Sequence, residues 1–123
     1  MTVQELYDNI GGSYASVKRI LPTDRMIGKF VLKFLNDKSC EKLFASREAG
    51  DAQGMFDASH SLKGVCANLG LDDLSAQASE ISEEFRPGHQ PVMSQEELDR
   101  RFADIKTLYD RTISGIQAFA AEQ

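Results

Sequence analysis

The sequence predicts an all-α protein, an up-down antiparallel four-helix bundle preceded by one or two short helices. Three observations carry this. Apolar residues recur at intervals of three and four along nearly the whole chain. Proline and glycine, 3 and 9 of 123 residues, stand at a few separated points and leave long uninterrupted stretches between them. No segment shows the apolar-polar alternation of a half-buried strand. With 41% hydrophobic residues, a chain of this length can bury one core and little more, so residues 1–123 are expected to form a single domain.

Val3 to Ile10 reads as a short helix closed by Gly11-Gly12, and Ser13 to Leu21 as a second that stops at Pro22. These make an N-terminal part over 3–21, followed by a bundle over 24–122. Thr23 starts the bundle, and "DRMIGKFVLKFLN", from Asp24 to Asn36, places Ile27, Phe30, Val31, Phe34 and Leu35 on one broad apolar face. A shorter helix from Lys38 to Glu48 presents Leu43 and Phe44, after which Gly50 and Asp51 read as a stop and an N-cap. The helix containing "DASHSLKGVCANLGL" has Met55, Ala58, Leu62, Val65 and Leu69 on its apolar side. Beyond Gly70, the spacing of Leu71, Leu74, Ala78, Ile81 and Phe85 predicts another helix that ends at "RPGHQP". Ser94 caps the last and longest helix, with Glu97 completing a capping box. Leu98, Phe102, Ile105, Leu108, Tyr109, Ile116 and Phe119 form its stripe.

Composition narrows the function classes. A net charge of −5 gives no basic footprint for phosphate backbones or for an anionic membrane surface, so neither nucleic acid nor membrane is expected as a partner. The opening "MTVQELYDNIGG" lacks the apolar core of a signal peptide, and no run is long enough to span a bilayer; a cytoplasmic location is expected. Cys40 and Cys66 lack metal-ligand spacing and read as reduced, small packing residues. His60 and His89 lack the spacing and carboxylate company of a ligand set, so no metal and no other cofactor is expected on this chain. His89 reads as a loop residue without a role, and Glu80, Glu83 and Glu84 as the solvated face of their helix.

One helix departs from plain packing logic. Gly64 lies in its interior, where glycine costs about 1 kcal/mol relative to alanine. With about 100° of rotation per residue, His60 falls almost opposite the apolar stripe. Within about 60° of it lie Phe56, Lys63, Gly64 and Ala67. A neutral imidazole has one unprotonated ring nitrogen, a nucleophile able to take a phosphoryl group. Lys63 can set its ammonium beside the phosphoryl oxygens, Gly64 and Ala67 leave room for a partner's rim, and Phe56 suits a docking contact.

"HSLKG" followed by "ANLGL" resembles the signature of histidine-containing phosphotransfer (HPt) domains. "GGSYASVKRIL", "IGKFVLKFLND" and the order of elements around the motif resemble free-standing single-domain members, over most of the chain. The resemblance implies a four-helix bundle that accepts a phosphoryl group from a receiver-domain aspartate and passes it to another receiver in two-component signal transduction. By position it makes His60 the phosphoacceptor, Lys63 the phosphate-stabilising neighbour and Gly64 the clearance residue; Phe56, Asp57 and Ala67, near His60 on the helix surface, are expected to face the partner. The implied partners are receiver domains of response regulators or of a hybrid histidine kinase, which bring the magnesium ion. Two departures stand out. Ser59 occupies a position where a small apolar residue is commoner, and Asp57 puts a negative charge near the site, where it either weakens phosphate stabilisation or hydrogen-bonds the other ring nitrogen. With no nucleotide-binding glycine loop, a monomeric carrier without kinase activity is expected. The alternatives are an input phosphotransfer domain separated from a chemotaxis-type histidine kinase, and a receiver-binding module without transfer.

Overall fold

In the computed structural model, which describes residues 1–123, most helices begin where the sequence supplies a side-chain cap. Thr2 caps α1 (Val3–Ile10), Ser13 caps α2 (Tyr14–Ile20), Thr23 caps α3 (Asp24–Lys33), Asp51 caps α5 (Ala52–Asn68) and Ser94 caps α7 (Gln95–Ala121); each accepts a backbone N–H three residues on. Between them, α4 (Ser39–Glu48) and α6 (Asp72–Glu84) begin without a side-chain cap. The reciprocal capping box forms at Thr2 and Glu5. It does not form at Ser94 as the sequence predicts, because the Glu97 carboxylate turns to Arg100 and Arg101 instead.

The columns of the bundle follow from these lengths. A 27-residue α7 spans about 40 Å, whereas the 17 residues of α5 reach only about 26 Å. One column matching α7 is made of two pieces, since α3 passes through a 3-10 turn (Phe34–Asn36) into α4 and does not run unbroken to Asn36. Asp37 closes that bend by accepting the Ser39 amide at 3.0 Å. The upper piece, α4, lies beside the start of α7, where Arg47 pairs with Asp99 and Phe44 meets Phe102 edge-on at 5.3 Å. The lower piece, α3, lies beside the end of α7, with Gly28 against the Phe119 ring. The hairpin of α5 and α6 supplies the other two columns, and the space below it is filled by α1 and α2. Arg111 of α7 secures α1 by donating to the Asn9 carbonyl at 2.8 Å.

Twenty-three buried apolar residues form one continuous core. The α7 stripe holds one polar member, Thr112, whose hydroxyl donates to the Leu108 carbonyl at 2.8 Å and so is buried without a penalty. Phe30, predicted for the apolar face, is instead exposed with the Lys33 ammonium 4.9 Å above its ring, while Ile27, Gly28 and Val31 take the buried side of α3. Glu84 corrects the reading of a solvated acidic face. The residue is 4% exposed and its carboxylate accepts the Val92 and Met93 amides, the latter at 2.7 Å, because the connection to α7 folds back over the end of α6. Glu80 and Glu83 do remain exposed, paired with Arg101 and Arg86. No helix is long and apolar enough to cross a membrane.

The turn between α5 and α6 ties the N-terminal helices to the bundle. Gly70 has a φ of 68°, and a Cβ there would lie 2.7 Å from the Ser13 carbonyl oxygen. The Ser13 amide donates to the Gly70 carbonyl at 2.8 Å, and the buried Tyr7 hydroxyl donates to the Leu69 carbonyl at 2.6 Å. Burial, aided by the charge of Asp72, holds the Tyr7 phenol well above its ordinary range, so it stays a donor. Cys40 and Cys66 are free and buried. Burial, with the Asp110 carboxylate adding to it, pushes the Cys40 thiol up to about 12; burial pushes Cys66 up as well.

Gly70→Ala combines a left-handed backbone with a steric overlap and should cost about 2–4 kcal/mol, whereas Tyr7→Phe should cost about 1–1.5 kcal/mol; urea denaturation of both variants checks the order. An acid whose pKa is raised by folding stabilises the native state below its unfolded pKa and stops doing so as pH rises. The two thiols should therefore make the melting temperature fall as pH climbs from about 9 towards 12, and a thiol reagent should label the native protein slowly and the urea-unfolded chain fast.

Candidate functional site

Packing on both flanks of α5 decides which of its residues remain outside. Met55, Ala58, Leu62 and Cys66 are buried, as is Ser59, so the helix is covered by α4 on one side and α6 on the other. Ser59 enters this interior because its hydroxyl donates to the Met55 carbonyl at 2.6 Å, with the Phe56 carbonyl at 3.1 Å. A serine can thus stand at this buried position with its hydroxyl satisfied. Ser75 of α6 donates to the Lys63 carbonyl at 2.9 Å and fastens one turn of α5 from the side.

What remains outward is a narrow strip: His60, Gly64 and Ala67 are exposed, with half-buried Phe56 and Lys63 along one edge. The structure therefore brings these five predicted residues together. The Lys63 ammonium forms no ion pair, and no protein group hydrogen-bonds the His60 imidazole. The His60 ring lies over Phe56 with centroids 5.6 Å apart and planes inclined by 21°. On the other edge, Asp57 accepts the Gln53 side-chain amide at 3.0 Å, so the charge left open by the sequence is engaged along its own helix and not by the imidazole. His89 is elsewhere, in the connection after α6, with Nε2 3.7 Å from the Glu84 carboxylate.

Gly64 is distinguished from the other helical glycines by its surroundings. A Cβ at Gly115 would lie 2.3 Å from Ile10, and one at Gly28 would touch Phe119, so these two glycines admit neighbouring helices. A Cβ at Gly64 would meet nothing within 4 Å. The glycine is not there for packing within the chain, and it leaves the ground beside the imidazole flat.

Unpaired positive charge is distributed unevenly along the chain. The cations without an ion pair are Arg19, Arg25, Lys29, Lys33, Lys42 and Lys63, all on α2 to α5, together with Arg111, which is bonded to a backbone carbonyl. The other basic residues beyond Lys63 are each paired with a carboxylate. Chemically, the strip offers an unshielded nucleophilic ring edge, a free ammonium one turn away and a flat approach.

Sequence reasoning missed Ser59 and Ser75 as supports of the strip. The Gln53 to Asp57 contact was legible as a polar pair four residues apart on one helix face. Nothing in the sequence pairs Ser75 with Lys63, because that bond depends on how two helices lie against each other.

The family model of the Hpt domain matches residues 34–115, which include the whole strip. No curated protein and no solved structure matches the chain.

Gly64→Ala fills open space and should stabilise the protein by up to about 1 kcal/mol, while Gly115→Ala forces Ile10 to move and should destabilise it by about 1–3 kcal/mol. Urea unfolding of the two variants should give opposite signs.

Proposed function

The chain belongs to the Hpt domain family, and from that premise we propose that it is a phosphorelay carrier in which His60 accepts a phosphoryl group from a receiver-domain aspartate and passes it to another receiver. The family implies histidine phosphotransfer in two-component signalling and interaction with receiver domains in general. The observation that best supports His60 as the acceptor is its exposure beside Gly64, where an added Cβ would meet nothing within 4 Å.

In the proposed transfer, a ring nitrogen of His60 donates its lone pair to phosphorus while the bond from phosphorus to the aspartyl oxygen breaks, and those electrons return to the carboxylate. The imidazole gains positive charge until its other nitrogen releases a proton. Passing the group on reverses the step at a second aspartate. Lys63, held at the edge of the strip, meets the charge on the phosphoryl oxygens. Gly64 and Ala67 admit the rim of the receiver, and Asp57, bonded to Gln53, marks the margin of the contact. The receiver brings the magnesium ion and most of the charge stabilisation, and the unpaired cations on α2 to α5 suit its acidic surroundings. We take the carrier to be a cytoplasmic monomer that does not phosphorylate itself.

Incubation with a phosphorylated receiver should place an acid-labile, base-stable label on the chain, and His60→Gln should abolish it. Label that survives acid, or that persists in the variant, would overturn the proposal. With ATP and magnesium alone no label is expected. Two further variants separate the roles on the strip. Lys63→Ala should slow transfer by about tenfold and leave receiver affinity within a few-fold, since it removes a charge and changes little of the shape. Gly64→Leu should keep or raise the melting temperature and yet lose receiver binding and transfer together.

A further inference from the structure

Phe56 is the large apolar side chain of α5 that stays outside the core. It is half-buried, yet it belongs neither to the buried cluster nor to the partly buried residues packed against that cluster. The aromatic ring it meets is the imidazole one turn on, 5.6 Å away and inclined by only 21°. Its ring is thus turned towards the imidazole of the strip.

We infer that Phe56 is a positioning residue for His60, holding the imidazole by stacking and stabilising the positive charge the ring gains in phosphoryl transfer. The inference rests on the reading of His60 as phosphoryl acceptor. Its geometric part follows from where the lone pairs lie. Both imidazole nitrogens carry their lone pair or proton in the plane of the ring, so a near-parallel partner covers a face and leaves the reacting edge free. An exposed histidine on a helix has several rotamers open to it, and a stack selects among them before the partner arrives, which reduces the ordering left for the encounter. The electrostatic part follows from the balance of the step. As the nitrogen-phosphorus bond forms and the bond to the leaving oxygen breaks, the ring becomes cationic, and the face of a phenyl ring attracts a cation. Leucine is as apolar as phenylalanine but offers neither a flat partner nor that face.

The test uses phosphoramidate, a small donor that gives up its phosphoryl group with release of ammonia and has no protein surface to dock. Phe56→Leu should label His60 about 3- to 10-fold more slowly than the unaltered protein, and Phe56→Tyr should restore the rate. With a phosphorylated receiver, the same loss should fall on the maximal transfer rate and not on affinity. In proton spectra of the unphosphorylated protein, the His60 ring C–H signals should be displaced by the Phe56 ring current, a displacement lost in Phe56→Leu and kept in Phe56→Tyr. If Phe56→Leu leaves either the phosphoramidate rate or the ring signals unchanged, the positioning role is overturned; weakened receiver binding in that case makes Phe56 a docking contact. If the unaltered protein takes phosphate on His60 from neither donor, the reading of His60 falls and the role of Phe56 with it, whatever the ring signals show.

Discussion

The turn at Leu69-Gly70-Leu71 is the constraint on which the rest of the structure depends. It joins the two helices that make most of the bundle's contact surface, and it is the point at which α1 and α2 attach, through the Tyr7 hydroxyl and the Ser13 amide. Because both bonds reach backbone carbonyls of the turn itself, they fix the height and rotation of α5 without touching its outward side. A slip of one residue would rotate that helix by about 100°, which in one direction would carry His60 into the buried place that Ser59 holds. The reactive strip is thus oriented from below by residues more than forty positions away in the chain.

A second division of labour runs across α5. Its flanks carry the packing, with polar intruders neutralised locally: Ser59 by the carbonyls of the preceding turn, and the Lys63 carbonyl engaged by Ser75. Its outward strip, to which the proposed function assigns the chemistry, holds Gly64, whose added Cβ would meet nothing within 4 Å. The same separation appears at the ends of α6 and α7, where the buried Glu84 carboxylate arranges the connecting chain by gathering two backbone amides.

Much of this was legible in the sequence because it is local. Helix starts are written in Thr23, Asp51 and Ser94, and the outward position of His60 follows from counting residues along one helix. What was not legible depends on tertiary placement. Glu84 looks like its exposed neighbours Glu80 and Glu83 until the following loop folds onto it. Glu97 has the spacing of a capping box, but arginines on its own helix compete for the carboxylate. Phe30 satisfies the helical period and is left outside because the apolar side of α3 is already filled by Ile27 and Val31. The stack of Phe56 on His60 lies between these cases: the spacing of four residues permits it, but only side-chain geometry distinguishes it from two independent neighbours.

The empty space around Gly64 has a consequence for how such a protein can change over generations. A position that shares no contact with the core can be rewritten without disturbing folding, so under the proposed function substitutions there that alter which partner fits are filtered by signalling alone. Most positions of a small bundle are held twice, once by stability and once by function. Here the two pressures act on different residues of the same helix, and new partner preferences can accumulate on the strip while the flanks stay fixed.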